Sequence, residues 1–218
     1  RSISAAAYVL FCPDNGKILL SENADRQLPM ASTTKIMTTL LTLEEAAVEN
    51  RVVEFTEEMT AEGSSMYLKR GEKVTLYDLA VGMMMQSGND AANAAAIAIA
   101  GSGEAFADLM NEKATAIGMQ HTHFVTPSGL DDEQHYSTAY DMALIMRAAI
   151  RNEQFREIAG TLNYTVPATN LTEETRPLWN GNKMINPSEP YYYEYCEGGK
   201  TGYTTDANNT LVTFAKKD

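Results

Sequence analysis

Strand-like segments stand at both ends of this chain and helix-like segments fill its middle, and that distribution restricts the fold more than any other feature. Residues 3–11 are rich in Ala, Val and Tyr. Pro13-Asp14-Asn15-Gly16 supplies turn residues, and Ile18, Leu19 and Leu20 resume, so a β-hairpin is predicted with its second strand over 17–22. At the other end, 194–203 and 209–215 read as two strands joined by a polar turn. In between, Ile36, Leu40, Leu43 and Ala47 recur at helical spacing after Ser32, which predicts a helix to about Val48. Further helices are predicted over 76–85, 90–100, 104–117 and 139–151, with Ser102 and Ser137 or Thr138 as N-caps. A short helix over 152–159 leads to a β-like stretch over 162–166, and Val52, Val53 and Phe55 form a short β-like piece earlier. If the end strands pair in one antiparallel sheet, the middle is a helical lobe inserted between them. The expectation is an α/β domain over 1–218, with a sheet lobe (1–50 and 191–218), a helical lobe (51–190) and a cleft where they meet.

Charge narrows what such a domain can do. Asp plus Glu is 29 against 17 for Lys plus Arg, a formal net charge of −12, which argues against nucleic acid as a partner. No apolar stretch approaches the roughly 20 residues of a membrane-spanning helix. The densest, over 91–100, is Ala-rich and broken by Asn93. The chain opens on Arg1 and not on Met, so it is expected to be either an artificially cut piece or a mature product whose targeting segment has been removed. Cys12 and Cys196 fit no zinc spacing and are expected to stay unpaired. His121, His123 and His135 are too few and too irregular for a metal site, and surface or loop positions are expected for them. No cofactor is implied.

Three short motifs carry chemistry. In Ser32-Thr33-Thr34-Lys35, positions i and i+3 share a helical face, so hydroxyl and amine can meet. A serine hydroxyl is a weak nucleophile that needs a base, and a lysine amine serves only when neutral. Ser87-Gly88-Asn89 sits between two helical segments. It reads as a turn with Asp90 capping the next helix, or as a cleft wall offering a second hydroxyl and a carboxamide. Lys200-Thr201-Gly202 follows Gly198-Gly199 inside a strand pattern, and glycines there suggest close approach of a ligand or another backbone. A strand edge of that kind suits an extended peptide.

In this order the three motifs resemble the serine penicillin-binding proteins and class A β-lactamases. Longer segments resemble the low-molecular-mass D-alanyl-D-alanine carboxypeptidases over nearly the whole chain. They are Leu28-Pro29-Met30-Ala31-Ser32-Thr33-Thr34-Lys35, Gln86-Ser87-Gly88-Asn89-Asp90, Pro127-Ser128-Gly129-Leu130-Asp131, Tyr140-Asp141-Met142-Ala143 and Gly199-Lys200-Thr201-Gly202-Tyr203-Thr204. The resemblance implies a β-lactamase/transpeptidase-like fold and a single catalytic domain. It also implies an extracytoplasmic enzyme of the bacterial envelope acting on peptidoglycan stem peptides, with β-lactams as covalent inhibitors. Residue by residue, it implies Ser32 as nucleophile, Lys35 as general base and Ser87 as proton relay. Asn89 would hold the substrate backbone or fix Lys35, and Lys200 and Thr201 would meet the substrate carboxylate beside Gly202 and Tyr203. The backbone N–H groups of Ser32 and Tyr203 would form the oxyanion hole. Ser128 is given no role.

Two other readings compete. A class A β-lactamase adds a Glu followed four residues later by Asn, and no Glu between Asn89 and Lys200 has Asn at that spacing. A catalytically silent wall-binding protein on the same scaffold is opposed by the three intact motifs. The resemblance further implies a final strand between those predicted at 3–11 and 209–215, a terminal helix, and a substrate-binding arginine, all beyond Asp218. The expectation is that the polypeptide continues or that a second chain fills the slot, with any membrane association through such a segment.

Overall fold

The computed structural model describes residues 2–218. Its regular elements are β1 (Tyr8–Cys12), β2 (Lys17–Glu22), α1 (Lys35–Val48), β3 (Val52–Glu54), β4 (Lys73–Thr75), α2 (Leu76–Met85), α3 (Asn89–Ala100), α4 (Gly103–Ile117), α5 (Ala139–Ala149), α6 (Glu153–Gly160), β5 (Asn163–Val166), β6 (Arg176–Trp179), β7 (Cys196–Thr204) and β8 (Asn208–Ala215). The six helices match the periodicity, and the two caps follow the chemistry: Ser102 Oγ accepts from Ala105 N, and Thr138, not Ser137, accepts from Asp141 N. Ser32 lies in a 3-10 turn, Ala31–Thr34, that leads into α1. The first strand is shorter than expected, because residues 3–7 lie outside the β1 ladder.

The core surrounds α1. Ile36, Met37, Leu40 and Leu43 are all at most 3% exposed, and α2, α3, α4, α5 and α6 pack around them. Ala47, expected on the same stripe, is exposed because the last turn of α1 runs clear of its neighbours. Methionines fill much of the interior, among them Met83, Met84, Met85, Met110 and Met146, whose unbranched side chains fit irregular gaps between helices.

Pairing of the end strands differs from the expectation of one sheet. The strands form four separate two-stranded antiparallel ladders: β1–β2, β3–β4, β5–β6 and β7–β8. The two end hairpins both contact α5 but are not hydrogen-bonded to each other, so α5 joins them in place of a shared ladder. Strands β4 and β6 are additions to the sequence reading. They are tied by Glu72, fully buried, whose carboxylate pairs with Arg176 and accepts from Thr169 Oγ1 and Lys69 N. No helix is long and apolar enough to cross a membrane among the described residues. The Cys12 and Cys196 thiols are both free.

Candidate active site

Four chain segments converge on Lys35. The first is the 3-10 turn, which enters α1 so that the half-buried Ser32 Oγ lies 2.8 Å from Lys35 Nζ. The turn is pinned from outside. Leu28 and Ser137 exchange backbone hydrogen bonds, Thr33 Oγ1 donates to Met30 O, and Ala31 adopts φ +50. Gly129, itself at φ +92, passes so close that a Cβ there would lie 1.9 Å from Ala31 O.

The second segment is the α2–α3 connection. Ser87 is left-handed at φ +55, and its Oγ lies 3.4 Å from Lys35 Nζ and 3.2 Å from Lys200 Nζ. Gly88 is the N-cap residue of α3, and not Asp90 as the sequence suggested. Asp90 lies inside α3, where its carboxylate accepts from the N–H groups of Met66, Leu68 and Ala91. Asn89 Oδ1 accepts from Lys35 Nζ at 2.7 Å while Asn89 Nδ2 donates to Glu62 O at 2.7 Å. Both ends of its carboxamide are occupied, which suits a residue that fixes Lys35.

The third segment is the loop over 126–135. Ser128 is buried, and its backbone carbonyl accepts from Lys35 Nζ at 2.8 Å. Sequence reasoning missed this contact, since a carbonyl is common to every residue and leaves no mark in the side-chain alphabet. His135 also departs from expectation. It is in a loop but not at the surface, being only 3% exposed, and its Nε2 lies 2.8 Å from Thr34 Oγ1. A lone His in the polar run Asp131-Asp132-Glu133-Gln134-His135 gives no signal of burial.

The fourth segment is β7. Lys200 is buried, and its Nζ donates to Thr201 O at 2.6 Å besides its contact with Ser87. A Cβ on Gly202 would lie 2.8 Å from Ser32 N and 2.5 Å from Thr210 Oγ1. The absent side chain therefore lets the β7 backbone lie against the Ser32 amide, with Tyr203 the next residue along. Thr201 and Gly202 are half-buried, and the Tyr203 side chain is exposed. The residues named by the three motifs thus lie in or beside one cluster, to which the structure adds the Ser128 carbonyl.

Electrostatics favour the neutral form of Lys35. Burial pushes its pKa well below the ordinary lysine value, the Lys200 charge pushes the same way, and Asp90 pulls weakly back. Burial alone lowers Lys200 to about 7. A neutral amine has two N–H groups and one lone pair. In that form Asn89 Oδ1 and Ser128 O, which can only accept, would take the two N–H groups and leave the lone pair for the Ser32 hydroxyl, which can donate. Such a cluster can take a proton from Ser32 and pass it toward Ser87. No group of three or more His, Cys, Asp or Glu side chains is placed to hold a metal ion among the described residues.

Comparison with known proteins gives the same picture. The family model described as D-alanyl-D-alanine carboxypeptidase matches residues 1–218. The D-alanyl-D-alanine carboxypeptidase DacF of Bacillus subtilis (strain 168) is 37% identical over 220 residues, covering 98% of this chain and 54% of that protein. The chain thus spans about half the length of this curated relative. The crystal structure of the D-alanyl-D-alanine carboxypeptidase DacD from Francisella tularensis superposes with a TM-score of 0.90 at 29% identity, covering 100% of this chain and 64% of that one. A Streptomyces DD-transpeptidase superposes with a TM-score of 0.89 at 29% identity, covering 100% and 87%. The mixed helical and antiparallel β-lactamase/transpeptidase-like architecture expected from sequence is the one these neighbours have.

Proposed function

The chain belongs to the D-alanyl-D-alanine carboxypeptidase family, and on that premise we propose that it is the catalytic part of a serine DD-peptidase removing the terminal D-alanine of peptidoglycan stem peptides. The observation that carries the proposal is the buried Lys35 amine, 2.8 Å from Ser32 Oγ and held by Asn89 Oδ1 at 2.7 Å and Ser128 O at 2.8 Å. Ser32 Oγ attacks the carbonyl carbon of the penultimate D-alanine as its proton passes to Lys35 Nζ. The proton then moves through Ser87 Oγ to the nitrogen of the departing D-alanine, leaving an ester on Ser32. Water hydrolyses that ester and restores the hydroxyl. General-base help of this kind is worth about 10²–10⁴-fold.

Lys200 and Thr201 receive the substrate's terminal carboxylate, and a Lys200 amine with a pKa of about 7 is driven to its charged form by an anion beside it. The N–H groups of Ser32 and Tyr203 hold the developing oxyanion, where one such donor contributes roughly 2.7–4 kcal/mol. The β7 strand, opened by Gly202, aligns the substrate backbone alongside. Stem peptides place this action outside the cytoplasmic membrane. Residues 1–218 form part of one catalytic domain whose sheet lobe and helical lobe meet at Lys35, and β-lactams acylate the same serine.

Ser32→Ala is expected to abolish both D-alanine release from a peptide ending in D-Ala-D-Ala and the mass increment left by penicillin, with circular dichroism unchanged. A penicillin adduct persisting on the Ala variant by intact mass would remove Ser32 from the mechanism. A silent wall-binding protein would give no adduct on the parent chain, and a β-lactamase would turn the penicillin over rapidly.

A further inference from the structure

We infer that His135 is a positioning residue for the Ser32–Lys35 pair, a strut between the turn that precedes Lys35 and the loop that brings the Ser128 carbonyl to it. The inference rests on the proposed role of Lys35 as base. The His135 ring is buried, and its contacts fix both the tautomer and the orientation. Its Nδ1 lies 2.9 Å from Val125 N and 3.3 Å from Thr126 N. Backbone N–H groups only donate, so Nδ1 is the bare nitrogen and Nε2 carries the proton. Nε2 then donates to Thr34 Oγ1 at 2.8 Å. Burial, against the pull of Asp132, lowers the ring's pKa to about 4, so the neutral form persists through the neutral range.

The two ends of this strut bear on the same amine. Thr34 is the residue immediately before Lys35. On the other side the loop runs from Val125 through Pro127, whose carbonyl accepts from Thr38 Oγ1, to Ser128, whose carbonyl accepts from Lys35 Nζ. Gly129 N donates to Thr126 Oγ1, closing the loop on itself beside the residue that His135 holds. A ring bonded at once to residues 125 and 34 sets the spacing between the Ser128 carbonyl and the base of α1. Without it Lys35 loses a fixed acceptor, and its lone pair is free to turn from Ser32.

The test separates rate from affinity. Acylation by a fluorescent penicillin, followed by stopped flow, gives the rate at saturation and the half-saturating concentration independently. Displacing a reacting group by about 1 Å can cost on the order of 10²-fold, so His135→Ala should lower the saturating rate by about 10- to 100-fold, leaving the half-saturating concentration within about threefold. Thr34→Val keeps the side-chain shape, removes only the hydroxyl, and should show the same pattern. His135→Asn places an acceptor near the Nδ1 position and should recover part of the rate. The double variant His135→Asn with Thr34→Val should fall little below the worse single variant, as residues acting through one contact do. Thr34→Val also covers the case in which His135→Ala does not fold. Saturating rates within twofold of the parent in both Thr34→Val and His135→Asn would overturn the inference, as would a loss confined to the half-saturating concentration. A parent chain that is never acylated would sink the proposed function itself, a different failure.

Discussion

Ser87 and Lys200 both sit where stability alone would place something else. Ser87 occupies a left-handed position just past α2, where glycine carries no Cβ penalty, and holding a non-glycine residue there costs roughly 1–3 kcal/mol. The hydroxyl it offers to Lys35 and Lys200 is the evident return. Ser87→Gly is therefore expected to raise the unfolding free energy by about 1 kcal/mol while slowing acylation, read by calorimetry and penicillin labelling on one preparation. A lower melting temperature would mean that the two lysine contacts outweigh the strain. Lys200 makes a pH-dependent case. Its pKa falls from the ordinary 10.5 to about 7 on folding, so between those values the unfolded chain holds a proton that the folded chain lacks. Stability must then rise with pH across that window, by up to about 1.4 kcal/mol per unit, and below about pH 7 the penalty is constant. Lys200→Met should flatten part of that slope in denaturant titrations at pH 7.5 and 9.5, Lys35 supplying the remainder. An unchanged slope would show that Lys200 keeps its proton in the folded state.

Strand β7 depends on a missing methyl group. Adding one at position 202 would press on Thr210 Oγ1 and Ser32 N, so Gly202→Ala should push β7 away from the 3-10 turn and slow acylation about tenfold or more. A rate within twofold of the parent would show that the strand has slack to absorb it. The β3–β4 and β5–β6 ladders depend on a charge. Burial would raise the Glu72 pKa, but Arg176, Lys69 N and Thr169 hold it at about 2. The stability it contributes is present above the ordinary carboxylate value of 4.5 and is lost as pH falls toward 2. Glu72→Gln should thus cost about 3 kcal/mol at pH 7 and little near pH 2. A difference that persists undiminished at pH 2 would sink that assignment.

What the sequence disclosed at this scale depended on length. The helices each run for eight residues or more, long enough for a period to repeat, and Ser102 and Thr138 announce their starts. Strands of three or four residues such as β4 and β6 have no period to read, and the Glu72–Arg176 pair joins positions 104 apart. Site side chains were legible where a motif named them. The Ser128 carbonyl and the burial of His135 were not, because both arise from how a loop folds over α1.

Across the whole molecule, protection from solvent is uneven. Every residue of β2 is exposed and the hairpin's other strand is mostly half-buried, whereas most residues of α2 and of the first two-thirds of α1 are buried. Hydrogen exchange should therefore show the β1–β2 amides opening well before those of α1 and α2. Equal protection would mean that the hairpin is covered by something in solution. The long-range ties of the site have a separate consequence. Lys200 meets Ser87 from 113 residues away, and Thr210 Oγ1 reaches Met30 O across 180. A ribosome delivers the chain from one end, so Ser32 and Lys35 are made well before the β7 and β8 partners that complete their surroundings. Until β7 and β8 emerge, Ser32 has neither Lys200 near it nor the strand beside it. By the proposed mechanism, a nascent molecule of this design does no chemistry until the β7–β8 hairpin has docked against the turn that carries Ser32.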